Sequence, residues 1–382
     1  MSAQALRVGI TGAYGMLGWH MRCRAFAQEG WEVIPAGRET FASESALDAF
    51  VAGADVIVHL AGVNRASDPA EVREQNPALA RQLTAALERT GDRPHVLYSS
   101  STHARGDSEY GQAKREAGRI LAQWAERAGA RYTELVLPHV FGECGRPHYN
   151  SVVHTFCHQV VAGEQPEINA AGQLELLHAG AVTQIIVDAV RAGTTGELAP
   201  AGQAISVGEV WERVQKLHRG YFEQQLVPRF ETDFELALFN VYRSYLFPER
   251  YPLALTVHAD DRGDLFEGVR SHNGGQTFVS TTRPGITRGN HFHFGKVERF
   301  LVLRGAAEIA IRRLFDDRVH RFRVSGSQPV YLDMPTLHTH SITNVGESEL
   351  LTLFWAHEIF DPEAPDTIFE PVEAQEQPAE QA

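Results

Sequence analysis

The strongest constraint on the fold is the run Thr11-Gly12-Ala13-Tyr14-Gly15-Met16-Leu17-Gly18. It lies between a short apolar stretch, Leu6–Thr11, and an amphipathic one, Gly15–Glu29. Glycines so spaced allow a tight turn at Gly12, close approach of backbone to a diphosphate at Gly15, and tight helix–sheet packing at Gly18. The helix start then offers free N–H groups to an anionic ligand. Such a crossing belongs to a parallel sheet, and the chain continues in that style. Strand-like runs recur at Trp31–Ala36, Asp55–Leu60, His95–Ser100 and Tyr132–Leu137, with helical runs at Pro77–Arg89 and Glu109–Ala128 between them. Strands alternating with helices of this length predict right-handed βαβ units and a doubly wound α/β domain.

After Pro248 the texture changes. Short β-rich runs (Gln276–Ser280, Arg299–Leu303, Ala307–Ile311, Val319–Val324, Leu350–Phe354) follow one another without helices, punctuated by Gly, Pro, Asn and Asp. This predicts an antiparallel, all-β barrel or sandwich. Length supports the division, because 382 residues exceed one typical domain. The expected organisation is residues 1–246 as the dinucleotide domain, with a substrate-binding lobe over about 150–245. Residues 247–370 then form the β domain, and 371–382 a disordered tail rich in Glu, Gln, Ala and Pro. Within the lobe, Ser206-x-x-Glu209 reads as a capping box before the amphipathic Val210–Leu217.

Charge and cysteine usage exclude several classes. A formal charge of −13 opposes nucleic-acid binding. The three cysteines, Cys23, Cys144 and Cys157, form no CxxC pair and suit a reducing compartment. No apolar run reaches the roughly 20 residues that span a bilayer, and the chain enters its first strand without a leader-like apolar segment. A soluble, cytoplasmic protein is expected.

Tyr110 and Lys114 lie one helical turn apart on one face, shortly after Ser99-Ser100-Ser101. A tyrosine beside a lysine cation is suited to passing a proton to or from a carbonyl oxygen, with the lysine lowering the phenol's pKa. The pattern resembles that of short-chain dehydrogenases/reductases, and the resemblance implies a hydroxyl that polarises that oxygen, with Ser101 the candidate and Ser100 its alternative. Where the second strand ends the chain carries Gly37-Arg38-Glu39. Arg38 offers charge-assisted hydrogen bonds to a 2′-phosphate, which favours NADP(H) over NAD.

In the β half, His291 and His293 flank one residue on an expected strand and so leave the same face. Glu298 opens the returning strand, and His340 arrives from a later one. Three imidazoles and one carboxylate form a site suited to a divalent metal such as Zn. Lys296, between the histidines and Glu298, is either a proton-transfer base or a solvated loop residue.

The Gly-x-x-Gly-x-x-Gly spacing, His59-Leu60-Ala61-Gly62, Asn76 and the Tyr110/Lys114 pair together resemble the extended short-chain dehydrogenases/reductases. The run Gly285-x5-His291-x-His293-x4-Glu298-x6-Gly305, with Pro335 and His340, resembles the two motifs of the cupin family. That family carries Gly where this chain has Leu337, leaving His338 as a spare candidate ligand. Over nearly its whole length the chain resembles the bifunctional capsular-polysaccharide enzymes of the CapF type. The strings His59–Arg65, Tyr149–Val152, Thr155–Cys157, Asp261–Gly263, Pro284–His291 and Phe360–Pro362 carry that likeness.

The resemblance implies a Rossmann domain binding NADP(H) through Gly12, Gly15, Gly18, Arg38, Leu60, Ala61, Gly62, Tyr110 and Lys114. It implies catalysis by Ser101, Tyr110, Lys114 and Lys296, and a metal on His291, His293, Glu298 and His340. Asn64, Arg65, Tyr149 and Asn150 would contact a UDP-sugar. The implied activity is C3 epimerisation in the cupin and C4 reduction in the Rossmann domain of a UDP-linked 2-acetamido-4-keto-6-deoxy sugar, in a homodimer making an L-FucNAc precursor. Two other readings stay open: a keto-sugar reductase with a structural or oligomerising cupin, and a weakly active sugar-nucleotide sensor. The family pattern is departed from at Val136–Gly145, where an arginine is lost and Glu143 gained, and at Val182–Ile185. Both bear on which sugar nucleotide fits, or on the strength of the reductase.

Overall fold

The computed structural model describes residues 4–65 and 69–373. The chain forms two compact units, residues 1–156 with 166–211, and residues 157–165 with 212–382. The elements of the first are β1 (Leu6–Thr11), α1 (Met16–Phe26), β2 (Trp31–Ala36), α2 (Arg38–Phe41), α3 (Glu44–Ala52), β3 (Val56–His59), α4 (Pro69–Thr90), β4 (His95–Ser101), α5 (Glu109–Ala128) and β5 (Tyr132–Leu137). These are followed by β6 (His139–Phe141), α6 (Val152–Ala162), within which the division falls, β7 (Gln173–His178), α7 (Ala179–Ala192), β8 (Gly196–Leu198), β9 (Gln203–Ser206) and the start of α8 (Val207–Leu217).

The sheet is parallel throughout, in the order β2-β1-β3-β4-β5-β8. Its central strands β3 and β4 are buried along their whole length, as a strand covered by helices on both faces must be. One face packs on α3, α4 and α5 through residues such as Phe50, Leu83 and Leu121. The other packs on α1 and α7 through Met21, Val182 and Ile186. The doubly wound architecture is therefore as its sequence pattern predicts. A smaller sheet, β6-β7-β9, stands beside it. Ser206 and Glu209 make the reciprocal bonds of a capping box at α8: Ser206 N–H to Oε2 of Glu209 (2.8 Å) and Glu209 N–H to Oγ of Ser206 (3.2 Å).

The second unit continues with α9 (Asp233–Ser244), β10 (Leu253–Ala254), β11 (His258–Asp260), β12 (Gly263–Leu265), β13 (Gln276–Thr282), β14 (Thr287–Phe292), β15 (Glu298–Arg304) and β16 (Ala306–Arg313). Then come β17 (Val319–Ser325), β18 (Val330–Met334), β19 (His338–Asn344), β20 (Leu350–Ala356) and β21 (Ile368–Phe369). Two antiparallel five-stranded sheets, β10-β18-β15-β20-β13 and β17-β16-β19-β14-β21, share one core. Phe300, Leu332 and Phe354 of the first meet Ile309, Val324 and Ile342 of the second.

Residues 212–246, expected with the Rossmann domain, group with the β unit. The physical reason is polar as much as apolar. On α9, Arg243 is buried and donates to the Met334 carbonyl (2.9 Å), while Asn240 donates to that of Gly295 (2.8 Å). Tyr221, in a π-helical turn at residues 218–223, donates to Asp333 (2.5 Å). Asp333 is also held by both arms of the buried Arg299 (2.7 and 2.8 Å), whose guanidinium lies 3.6 Å from the Tyr331 ring centre. Of the expected C-terminal tail, residues 371–373 are held: Arg312 donates to the carbonyls of Pro371 and Val372 (both 2.7 Å), and Val372 is buried. Residues 374–382 lie outside the described residues.

Candidate active site and metal centre

The turn between β1 and α1 is built as its glycines require. Gly12 has φ +66°, and a Cβ there would meet the Ala61 nitrogen at 2.8 Å; a Cβ on Gly18 would meet the Gly12 carbonyl at 2.1 Å. Gly15 is the N-cap of α1 and supplies no side-chain cap, so the first N–H groups remain available to an anion. The facing residues 60–63 are pinned from two sides. Asn76 accepts from Val63 N–H (3.1 Å) and donates back to its carbonyl (2.9 Å), while Thr11 Oγ1 accepts from Ala61 N–H (3.2 Å). Thr11 Oγ1 also lies 2.8 Å from Nδ1 of His59, its partner across the β1–β3 ladder. Burial keeps His59 neutral, with its pKa lowered to about 3, helped by the Lys114 charge. Thr11 and His59 stand in the two motifs named above but not among the expected cofactor residues, although parallel register places the two strand ends side by side.

Ser101, Tyr110 and Lys114 come together. Lys114 is buried and donates to the Ser99 carbonyl (2.7 Å), with its ammonium 5.9 Å from the Tyr110 ring centre and 5.0 Å from that of Tyr98. A Cβ on Gly62 would stand 3.4 Å from Lys114 Nζ, so the cofactor loop and the lysine adjoin. Burial lowers the Lys114 pKa to about 8. The expectation that Lys114 depresses the Tyr110 pKa is not met in this state. Burial raises it to about 12, and the opposing influence is a hydrogen bond with Ser101. Ser101 also accepts from His103 N–H (3.2 Å), and the hydroxyl of Ser100, the alternative, is buried without a protein partner. His103 stacks edge-on against both Tyr110 and His139, so His139, in the Val136–Gly145 departure, lies one ring removed from the tyrosine.

Arg38 is exposed at the first residue of α2, directly after β2. Arg65 donates to the Tyr149 carbonyl (2.9 Å), bringing two of the expected substrate residues together; Asn64 and Asn150 are exposed and take no part in that contact. Glu143 does not face a ligand. It is 1% exposed, with His178 Nε2 at 3.1 Å and His20 Nε2 at 3.5 Å from its carboxylate. Thr183, in the other departure, is buried in α7 and donates to the Gly180 carbonyl (2.9 Å). Glu143 and Thr183 are thus internal, whereas His139 and Gln184 in the same two segments are exposed.

In the β unit His291, His293, Glu298 and His340 offer ligand atoms within 4.8 Å of one another. Their Nε2 atoms lie 3.9, 3.1 and 3.3 Å, respectively, from Oε2 of Glu298. β14 is not the regular strand expected. A register shift between Gly289 and His291 bulges it, and Asn290 has φ +60°. The bulge turns the His291 ring onto His340, with ring centres 4.7 Å apart. His340 Nδ1 donates to the His338 carbonyl (3.2 Å) and His293 Nδ1 to that of Asp366, so both Nε2 atoms face Glu298, as donors while they carry a proton and as ligands when a cation replaces it. Burial lowers His340 to about 4. For Glu298 burial acts the other way, but hydrogen bonds from His291, His293 and His340 prevail and hold it well below the usual carboxylate range. Three inward-facing imidazole nitrogens around one ionised carboxylate fit a tetrahedral divalent cation. His338 instead bonds the Thr336 carbonyl through Nδ1 (2.8 Å).

Leu337, in the family's glycine position, has φ +59°. The left-handed turn is kept with a side chain that pays for it, and its N–H reaches the His293 carbonyl (2.8 Å). Lys296 is buried, not a solvated loop residue, and donates to Thr367 Oγ1 (3.1 Å).

Fold and site define a nicotinamide-dependent enzyme of short-chain dehydrogenase/reductase type joined to an all-β domain. Residues 8–208 match the NAD dependent epimerase/dehydratase family, and residues 258–368 match the polysaccharide biosynthesis C-terminal domain. The chain is 32% identical over 366 residues to a UDP-2-acetamido-2,6-beta-L-arabino-hexul-4-ose reductase of Pseudomonas aeruginosa, covering 95% of this chain and 98% of that one. Among solved structures it is similar to the capsular polysaccharide assembling protein CapF from Staphylococcus aureus, with a TM-score of 0.62 and 30% identity, covering 96% of this chain and 100% of that one. A UDP-N-acetylglucosamine 4-epimerase from Bacillus cereus shares the fold, at 19% identity and TM-score 0.53, over 64% of this chain and 97% of its own. The chain belongs to the NAD dependent epimerase/dehydratase family and, within it, is an enzyme of the CapF type. Among the described residues no helix is long and apolar enough to cross a membrane.

Proposed function

We propose that this enzyme acts twice on a UDP-linked 2-acetamido-4-keto-6-deoxy sugar, inverting C3 in the β unit and reducing the C4 ketone with NADPH in the Rossmann unit. The observation that carries the reading is the Ser101–Tyr110–Lys114 constellation beside a pinned cofactor loop. A proton donor must hold its proton at rest, and burial keeps Tyr110 protonated across the neutral range. When bound, the nicotinamide supplies the hydride to C4. Ser101 and Tyr110 hydrogen-bond the ketone oxygen, and Tyr110 delivers the proton as the alkoxide forms. Lys114 holds the ribose and, as a cation, stabilises the phenolate left behind. Arg38 pairs with the 2′-phosphate, and Asn64, Arg65, Tyr149 and Asn150 hold the sugar nucleotide. The relative named as a hexul-4-ose reductase supports this substrate class.

For the first step, the C4 ketone acidifies the C3 proton, and Lys296 is the base that removes and returns it. A divalent metal, Zn by its donor set, is held by His291, His293, Glu298 and His340 and supplies positive charge against enolate oxygen when bound. The expected results are deuterium uptake at C3 from D2O without NADPH, NADPH oxidation abolished in Tyr110→Phe, and metal lost in His340→Ala. Reduction surviving His291→Ala with C3 configuration unchanged would reduce the β unit to a structural role. Absence of both activities in metal-replete enzyme would reject the whole reading.

A further inference from the structure

The segment after the last long strand returns to the metal cluster and touches it at three places. β21 pairs with β14 at the cluster itself, Phe369 opposite His291 and Ile368 opposite Phe292. The Asp366 carbonyl accepts from Nδ1 of His293. The Asp366 carboxylate accepts three successive backbone N–H groups, those of Phe294 (2.7 Å), Gly295 and Lys296 (both 2.8 Å). Three consecutive donors converging on one anion form a nest, and this nest is the whole turn between His293 and Lys296. The next residue, Thr367, accepts from Lys296 Nζ.

The segment is itself anchored. Glu370 N–H donates to the Asn290 carbonyl (2.9 Å), Val372 N–H to the Asn290 side chain (3.1 Å), and Arg312 reaches the Glu370 carboxylate (2.8 Å). Asn290 is the bulge residue that aims His291. One short segment therefore fixes the bulge before His291, the tautomer of His293 and the turn that carries Lys296.

From this we infer that Asp366 is a positioning residue of the β-unit site, acting through His293 and Lys296, and that residues 366–372 belong to that site. A carbonyl can only accept, so Nδ1 of His293 must carry the proton and Nε2 is left as the ligand atom. Without the carboxylate the three N–H groups lose their partner and the turn loses its fixed shape. Lys296 is positioned twice, by its own N–H on Asp366 and by its ammonium on Thr367.

The inference rests on the metal reading given above, and cobalt separates the two. Wild-type enzyme, stripped and reloaded with Co(II), should show the visible bands of a tetrahedral N/O site. In Asp366→Asn, which keeps the shape but turns an amide onto the N–H nest, cobalt affinity should fall about 10- to 100-fold, the range for lost outer-shell partners, with altered bands. Thr367→Val, a milder change, should keep metal and bands but slow deuterium uptake at C3, with kcat falling more than KM rises. Wild-type affinity and spectrum in Asp366→Asn, or wild-type exchange in Thr367→Val, would overturn the positioning role while leaving the metal site intact. Wild-type enzyme that binds no cobalt would remove the metal reading and this inference together.

Discussion

Leu337 offers a test in which the sign of the result, rather than its size, carries the argument. The residue is 2% exposed, its φ is +59°, and its N–H is bonded to the His293 carbonyl. Truncating a buried leucine to alanine costs about 2–5 kcal/mol through lost transfer energy and the cavity left behind. Alanine keeps the left-handed strain, about 1–2 kcal/mol for any residue with a Cβ. Glycine at the same position removes that strain and costs back only about 0.5–1 kcal/mol of backbone entropy. Both variants lose stability, but Leu337→Gly should be the more stable of the two by up to about 1.5 kcal/mol, reversing the usual advantage of alanine. Calorimetry of the β-unit transition is the assay, with metal chelated so that binding adds nothing to either variant. At about 2–4 °C per kcal/mol for a unit of this size, the glycine variant should melt up to about 6 °C above the alanine one. An alanine variant melting at or above the glycine variant would refute the claim that the turn stores strain here.

Three further outcomes follow from the geometry. His20, His59 and His154 are buried neutral, with pKa values lowered by burial to about 4, 3 and 4 from 6.5. The unfolded chain therefore takes up protons that the fold refuses, and stability present above pH 6.5 is lost as pH falls toward 4, by up to about 1.4 kcal/mol per histidine per pH unit; melting temperatures unchanged from pH 7 to 5 would contradict this. Arg299→Met strands the buried Asp333 carboxylate and should cost about 3–5 kcal/mol in urea unfolding, most of it recovered in Arg299→Met/Asp333→Leu; a double variant no more stable than Arg299→Met would show that the stranded carboxylate is not the source of the loss. Arg38→Ala should raise the KM for NADPH about 10-fold, the loss of one charge-assisted contact of about 1.4 kcal/mol, and leave the KM for NADH unchanged. An equal rise for both cofactors would remove Arg38 from the 2′-phosphate site.

What the sequence makes legible here is local periodicity and short-range chemistry. β1, β2 and β5 coincide with their apolar runs and α5 with its amphipathic one, because a buried parallel sheet needs continuous apolar strands and α5 has Ser108 accepting from Gly111 N–H at its start. The glycine turn and the Ser101–Tyr110–Lys114 group were readable for the same reason, since their spacings are set by one turn of helix or one strand end. Partners distant in sequence were not readable. The amphipathicity of α9 announces that one face is covered but not by what, and Arg243 on it finds its carbonyl at Met334. Glu143 looked like a change in ligand contact because a charge normally marks surface, yet His20, from α1, and His178, the N-cap of α7, enclose it. Leu337 and Asp366 show the deeper reason. A backbone conformation leaves no mark on a residue forced into it, and an outer-shell partner need share only geometry with the ligand it fixes. The candidate metal histidines could be named from the sequence, whereas the groups that hold them could be found only in three dimensions.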